Sequence, residues 1–287
     1  MAKDKAFYRK KSINLGGELL ELDSPLVMGI LNINADSFFD GGAYVETAAA
    51  VRQAHKLWSE GADIIDIGPA SSKPGSALID PQEEWKIVAP VLEALKSELP
   101  QARLSLDTYN AATAEKAFAA GVHLINDISG GMIDARMIPF IGEAKAPYVL
   151  MHMQGLPENM QHNPRYENVV KEVAYFFSKQ LEALRKQGAV DVILDPGFGF
   201  GKSLEHNYEL FNALPYFKSL FDEPLLVGIS RKSMINKVLD IAPAEALNGT
   251  TVLNSLALER GADILRVHDV KEACEVRKIL NFSQKFA

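Results

Sequence analysis

A (β/α)8 TIM barrel, an α/β fold, is predicted for this chain from three observations. Eight short β-rich runs recur along the sequence, and amphipathic helical stretches separate most of them. A repeated phrase, GADIID, GVHLIND, GAVDVILD and GADILRVH, puts a glycine at a helix end, then a buried strand, then a polar residue. About 250 residues in eight even β-then-α units is the size of such a barrel, which a doubly wound open sheet reaches less naturally.

The elements follow in order. The opening SINLGGELLELDS alternates around Gly16-Gly17 and predicts an N-terminal β-hairpin that covers the barrel bottom. Barrel strands are predicted at residues 26–33 (LVMGILNI), 63–68 (DIIDIG), 103–108 (RLSLDT), 123–129 (HLINDIS), 148–153 (YVLMHM), 191–197 (DVILDPG), 224–231 (PLLVGISR) and 264–269 (ILRVHD). Most are continuous apolar runs, as strands need when helices cover them outside and side chains pack them inside. Residues 45–60, 81–99 and 168–187 carry apolar positions at three- and four-residue spacing with charges between, the pattern of covering helices. A single domain over residues 1–287 is expected.

Composition narrows the function. With 287 residues, 47% hydrophobic and 23% charged, the chain can bury a large core and is not disordered. Its net charge of −7 argues against a general nucleic-acid surface, which needs basic residues gathered into stripes. One cysteine, Cys274, excludes an intramolecular disulfide and a Cys-rich metal module, so a reducing cytoplasmic home is expected. No apolar run approaches the roughly 18 residues of a membrane span, and the basic first dozen residues lack the apolar core of a secretory signal.

The predicted strands end in Asn32, Asp66, Asp107, Asn126 with Asp127, His152, Asp195, Ser230-Arg231-Lys232, and Arg266 with His268. In a barrel these ends share one rim, where active sites of this fold sit. Any single Asp or Asn here is explained equally well as a turn former or helix cap. Eight together are harder to dismiss, because carboxylates in runs such as LSLDT and ILDPG are costly to bury without donors. Asp and Asn suit a polar heterocycle, and Lys232, Arg266 and His268 suit phosphate oxygens.

PGFGFGKS at 196–203 fails the phosphate-loop pattern, since Pro196 stands where glycine is required, and fails GxGxxG because Gly201 comes one position early. It reads as a flexible loop carrying Phe200 and Lys202 over the rim. NADSFFDGG at 34–42 and PASSKPGS at 69–76 have the composition of lids that order over substrate. His152 lacks a partner at metal-ligand spacing and reads as a core imidazole.

VMGILNINADSFFDGG, GADIIDIGPASSKPG, SLDTYNAATAEKAFAAGVHLINDISGG, LMHMQGLPENMQ, DPGFGFGKSLEHN, LVGISRKSMI and GADILRVHDVKE together resemble dihydropteroate synthase, in order, from about residue 13 to about 275. The resemblance implies condensation of 6-hydroxymethyl-7,8-dihydropterin diphosphate with 4-aminobenzoate to 7,8-dihydropteroate and pyrophosphate, SN1-like and assisted by Mg²⁺. It implies a pterin pocket of Asp107, Asn126, Ile128, Met151, Asp195, Lys232 and Arg266, and a diphosphate site of Asn32, Ser72, Lys73, Arg266 and His268, with Asn32 as the protein's Mg²⁺ ligand. Phe38, Pro74, Phe200, Ser230 and Lys232 would meet aminobenzoate, and Asp107, Lys232, Arg266 and His268 would carry the catalysis. It further implies sulfonamides as competitive ligands and a homodimer through late outer helices.

Departures fall in the lids. Asn34, Ala35 and Phe39 replace the family's usual Thr, Pro and Ser, and Pro69, Ala70, Ser72 and Lys73 replace Gly, Glu, Thr and Arg. Lys73 offers a point charge where an arginine would offer a planar fork. The second loop also looks like that of plasmid-borne sulfonamide-resistant synthases. Two other readings compete. A pterin-binding methyltransferase domain acting with a corrinoid protein shares the barrel and its Asp/Asn contacts, but has no need of the cations at 230–232 and 266–268. A non-catalytic pterin- or phosphate-binding protein has no need of a second-substrate pocket.

Overall fold

Gly16 and Gly17 both take left-handed backbone, at φ 64° and 94°, so the chain reverses within two residues. Strand β1 (Ser12–Leu15) therefore pairs antiparallel with β2 (Glu18–Glu21), with Leu15 opposite Glu18. The computed structural model describes residues 10–33, 43–69, 78–160 and 162–286. After the hairpin the order is β3 (Leu26–Ile33), α1 (Ala43–Ser59), β4 (Ile64–Pro69), α2 (Pro81–Glu98), β5 (Leu104–Asp107), α3 (Ala111–Ala119), β6 (Leu124–Asp127), α4 (Met137–Ala144), β7 (Tyr148–Met151) and α5 (Val169–Lys186). Then come β8 (Val192–Asp195), α6 (Leu204–Asn212), α7 (Leu214–Leu220), β9 (Leu226–Val227), α8 (Ser233–Leu239), α9 (Leu247–Glu259), β10 (Ile264–Val267) and α10 (Val270–Ser283).

The eight strands β3–β10 run parallel in the order β8-β7-β6-β5-β4-β3-β10-β9. A bridge between Leu194 and Leu225 joins the two edges and closes the sheet, giving the expected (β/α)8 barrel. The helix ends explain the repeated phrase. Gly61, Gly121, Gly188 and Gly261 each follow a helix at φ between 93° and 102°, a conformation that ends the helix and that glycine adopts without a Cβ penalty. Helix α2 starts where Asp80 accepts from the backbone N–H of Gln82 and Glu83, with Pro81 at its first position.

The seventh barrel strand differs most from expectation. Residues 224–231 shrink to Leu226–Val227 in the ladder. Beyond it the chain turns, reaching Arg231 in left-handed backbone at φ 57°, where its N–H donates to Thr250 and its guanidinium to Asp269.

Strand side chains alternate between two surroundings. Val27, Ile65, Leu106, Ile125, Leu150, Leu194, Val227 and Leu265 face the helices in the main core. Their neighbours Met28, Ile64, Leu124, Val149, Ile193, Leu226 and Ile264 face inward at the barrel bottom, in one cluster with Ile13 and Leu15 of the hairpin. The hairpin is thus a plug, and burying those two side chains contributes about 3–6 kcal/mol as an upper bound. Ion pairs between Lys10 and Asp191 (2.6 Å) and between Arg103 and Glu18 (3.1 Å) tether it to the barrel.

Candidate active site

Two residues further up the same strands, the inward positions change chemistry. Ile64 is succeeded by Asp66, Leu124 by Asn126, Val149 by Met151, Ile193 by Asp195 and Ile264 by Arg266. Parallel register sets Asp107 beside Asn126 and Met151 beside Asp195. The period-two pleat that buries an apolar floor therefore lifts a polar layer directly above it.

Arg266 is the hub of that layer. Its Nε donates to Asp66 Oδ2 at 2.7 Å and its Nη2 to Asp107 Oδ2 at 2.9 Å, while Asn126 Nδ2 also donates to Asp66 Oδ2 at 2.9 Å. Both carboxylates are almost wholly buried, and Asp66 Oδ1 has no hydrogen-bond partner among the described residues. Burial works against the charge of Arg266, but Asp66 and Asp107 more than offset it and hold the guanidinium above its ordinary range. Burial raises Asp107 to about 7, against the pull of Arg266 and aided by repulsion from Asp66. Asp66 thus accepts from both Arg266 and Asn126, and Asp107 accepts from Arg266.

Asp195 lies across the barrel mouth. Its Oδ1 accepts from Gly197 N–H at 2.8 Å, and burial raises its carboxyl, with Lys232 pulling the other way. Lys232 Nζ donates to Phe198 O at 2.7 Å and stands 4.8 Å from the ring centre of Phe200. Burial lowers its ammonium to about 8. Ile128 and Met151 form a small apolar cluster with Tyr109, and Phe200 packs against it. The structure thus brings together Asp107, Asn126, Ile128, Met151, Asp195, Phe200, Lys232 and Arg266.

Ser230 has a different engagement from the one expected. Its Oγ lies 3.0 Å from His268 Nδ1 and accepts from the His268 backbone N–H at 3.2 Å. The serine is buried, so its hydroxyl is spent on orienting His268, whereas Ser233, the first residue of α8, is exposed. Desolvation, with Arg266 nearby, lowers His268 to about 4, so the imidazole on the rim is neutral near pH 7. Asn32 is exposed near the end of β3, in register with Gly68. Phe38, Ser72, Lys73 and Pro74 lie outside the described residues.

Lys202 corrects the picture of a flexible loop. Instead of reaching over the rim it is 4% exposed, and its Nζ donates to the carbonyls of Gly197 (2.8 Å), Phe200 (2.9 Å) and His152 (3.2 Å). Asp127 is likewise engaged within the fold, on the helix-facing side of its strand, accepting from Ser129, Gly131 and Tyr148. His152 is a core imidazole as expected, edge-on to Phe176 at 5.0 Å and lowered by burial to about 2.

Sequence reasoning missed the buried Glu84 of α2, whose Oε2 accepts from Thr108 Oγ1 (2.8 Å) and Asn110 Nδ2 (2.9 Å) directly after Asp107. A signal existed: Glu84 shares a helical face with Ile87, Val88 and Val91, all buried. Asp66 was placed on the rim but given no role, since nothing along the chain pairs it with a residue 200 positions away.

The chain is similar to known proteins along nearly its whole length. The family model described as pterin binding enzyme matches residues 28–268. The dihydropteroate synthase of Escherichia coli K12 is 41% identical over 266 residues, spanning 92% of this chain and 93% of its own. The dihydropteroate synthase of Yersinia pestis, solved with a sulfonamide drug, superposes with TM-score 0.88 at 40% identity, over 96% of this chain and 99% of its own. That of Xanthomonas albilineans, solved with 4-aminobenzoic acid, gives 0.87 at 35% identity, over 96% and 98%. A polar layer above an apolar barrel floor, in a chain related along nearly its whole length to these enzymes, identifies a member of the dihydropteroate synthase family of pterin-binding enzymes.

Proposed function

We propose that the barrel mouth condenses 6-hydroxymethyl-7,8-dihydropterin diphosphate with 4-aminobenzoate, giving 7,8-dihydropteroate and pyrophosphate. The observation that carries this reading is the buried polar layer of Asp66, Asp107, Asn126 and Asp195 above an apolar floor and beside the cations Lys232 and Arg266. The 2-amino-4-oxo edge of a pterin presents parallel N–H donors, and Asp195 accepts them as it would an arginine fork. Asn126 and Lys232 answer the neighbouring donors and acceptors, and Ile128 and Met151 pack on the ring. Arg266, with His268, faces the diphosphate, and Asp107 stands near the reacting methylene.

Chemistry then follows the charge. The methylene–oxygen bond breaks with its electrons going to the diphosphate, where Arg266 and His268 stabilise them. The pterin-stabilised cation left behind is favoured by the carboxylate of Asp107, and the arylamine nitrogen attacks it and loses a proton. Phe200 and Lys232 line the aminobenzoate side; by the family resemblance Phe38 and Pro74 would join them, and Ser72 and Lys73 would meet the diphosphate. With Ser230 engaged by His268, the exposed Ser233 is the hydroxyl of this segment open to the aminobenzoate carboxylate. The sulfonamide bound by the Yersinia pestis relative supports sulfonamides as competitors at the same place.

The residues fit a Mg²⁺ shared with the substrate better than a resident one. No cluster of three His, Cys, Asp or Glu able to hold a metal exists among the described residues, and Asn32 offers one exposed carbonyl-type oxygen on the rim. When bound through diphosphate oxygens and Asn32, the ion would neutralise leaving-group charge.

A homodimer is also inferred. Ile279 and Phe282 of α10 and the following Phe286 are exposed together, the last two rings 5.3 Å apart, beside exposed Val252 on the adjoining α9. No helix among the described residues is long and apolar enough to cross a membrane; with its one buried free cysteine, we place the chain in the cytoplasm. The test of the central reading is product formation: incubated with both substrates and Mg²⁺, the protein yields 7,8-dihydropteroate by mass, and absence of product under saturating substrate refutes it.

A further inference from the structure

The loop between β8 and α6 is held by two lysines. Lys232 takes the carbonyl of Phe198. Lys202 takes those of Gly197 and Phe200 and ties them to His152 O on the neighbouring strand end. The loop rests against that segment so closely that a Cβ on Gly197 would meet His152 O at 2.0 Å and one on Gly201 would meet Gln154 O at 2.2 Å. Tyr166 Oη donates to Gly201 O at 2.8 Å, and Asn207 Oδ1 accepts from Gly199 N–H at 2.7 Å. A buried ammonium with three carbonyl acceptors converts a run of three left-handed glycines into a fixed platform.

We propose that Lys202 is a positioning residue for the second substrate: it touches neither substrate and acts through the loop, fixing Phe200 where the aminobenzoate ring docks. The inference rests on the synthase reading. It separates the two substrates, because Asp195 sits on a barrel strand and Phe200 on the stapled loop.

Steady-state kinetics of Lys202→Met test it. The expected result is a KM for 4-aminobenzoate raised about tenfold or more, with kcat and the KM for the pterin diphosphate within about threefold of wild type. Combined with Phe200→Leu, the two changes should be non-additive in that KM. Equal losses for both substrates, no loss for either, or additive effects would overturn the proposal. Should Lys202→Met fail to fold, Tyr166→Phe loosens the same loop at Gly201 and must show the same selective rise in KM, and its absence counts against the proposal equally. An inactive wild type would instead refute the synthase reading, and the inference with it.

Discussion

Among the described residues Asp195 forms no ion pair with the two ammonium groups that act on it, and its carboxylate accepts from one backbone N–H. Burying a charge in that way is unfavourable unless a ligand completes its bonding. Asp195→Asn keeps an acceptor for Gly197 and removes the charge. The expected outcome is a pterin affinity lower by roughly 10- to 100-fold, measured by calorimetry, with a melting temperature unchanged or raised. A lower melting temperature with normal affinity would make Asp195 structural. His152 gives a pH prediction. Its folded value of about 2 lies below the ordinary 6.5, so between the two only the unfolded chain binds the proton. Stability present above pH 6.5 is therefore lost as pH falls, by about 2 kcal/mol at pH 5. Urea titrations of wild type and His152→Leu should diverge by that amount between pH 7 and 5, and parallel curves would contradict the assignment.

Among the elements, strands and hairpin were legible because each rests on local pattern: period-two or continuous apolar runs, and a Gly-Gly reversal. Strand seven was overextended because PLLVGISR is β-rich throughout, while the turn that follows it is held at Arg231 by Thr250 and Asp269, distant in sequence. Lys202 was misread for a related reason: a lysine in a glycine-rich loop is ordinarily solvated, and only the folded convergence of three carbonyls makes burial tolerable. Glu84 was readable, since it interrupts an apolar helix face. The residues that line the barrel mouth were legible as strand ends, but the pairing of Arg266 with Asp66 was not. For the hairpin, a Cβ on Gly16 would stand 2.5 Å from the ring of His123, at φ 64°. Gly16→Ala should therefore destabilise the protein by about 1–3 kcal/mol in thermal or denaturant unfolding while leaving activity at low temperature intact. No change in stability would show that the plug is dispensable.

At the scale of the molecule, one architecture does two things. Its closed sheet hides an apolar floor under the hairpin, and its upper end gathers side chains from six strands spread along the sequence. The exposed apolar patch on α10 carries a prediction at this scale: light scattering should give twice the chain mass, and Ile279→Glu with Phe282→Glu should give the single-chain mass. A wild-type monomer would remove the dimer from the account.

At the barrel mouth the polar layer binds the pterin diphosphate, pyrophosphate leaves, and aminobenzoate captures the cation that remains. Pyrophosphate release with Mg²⁺, measured with and without 4-aminobenzoate for wild type and Asp195→Ala, tests it most directly. The account predicts release that is coupled to dihydropteroate formation and requires Asp195. Binding of the pterin diphosphate with neither pyrophosphate nor dihydropteroate produced would contradict it.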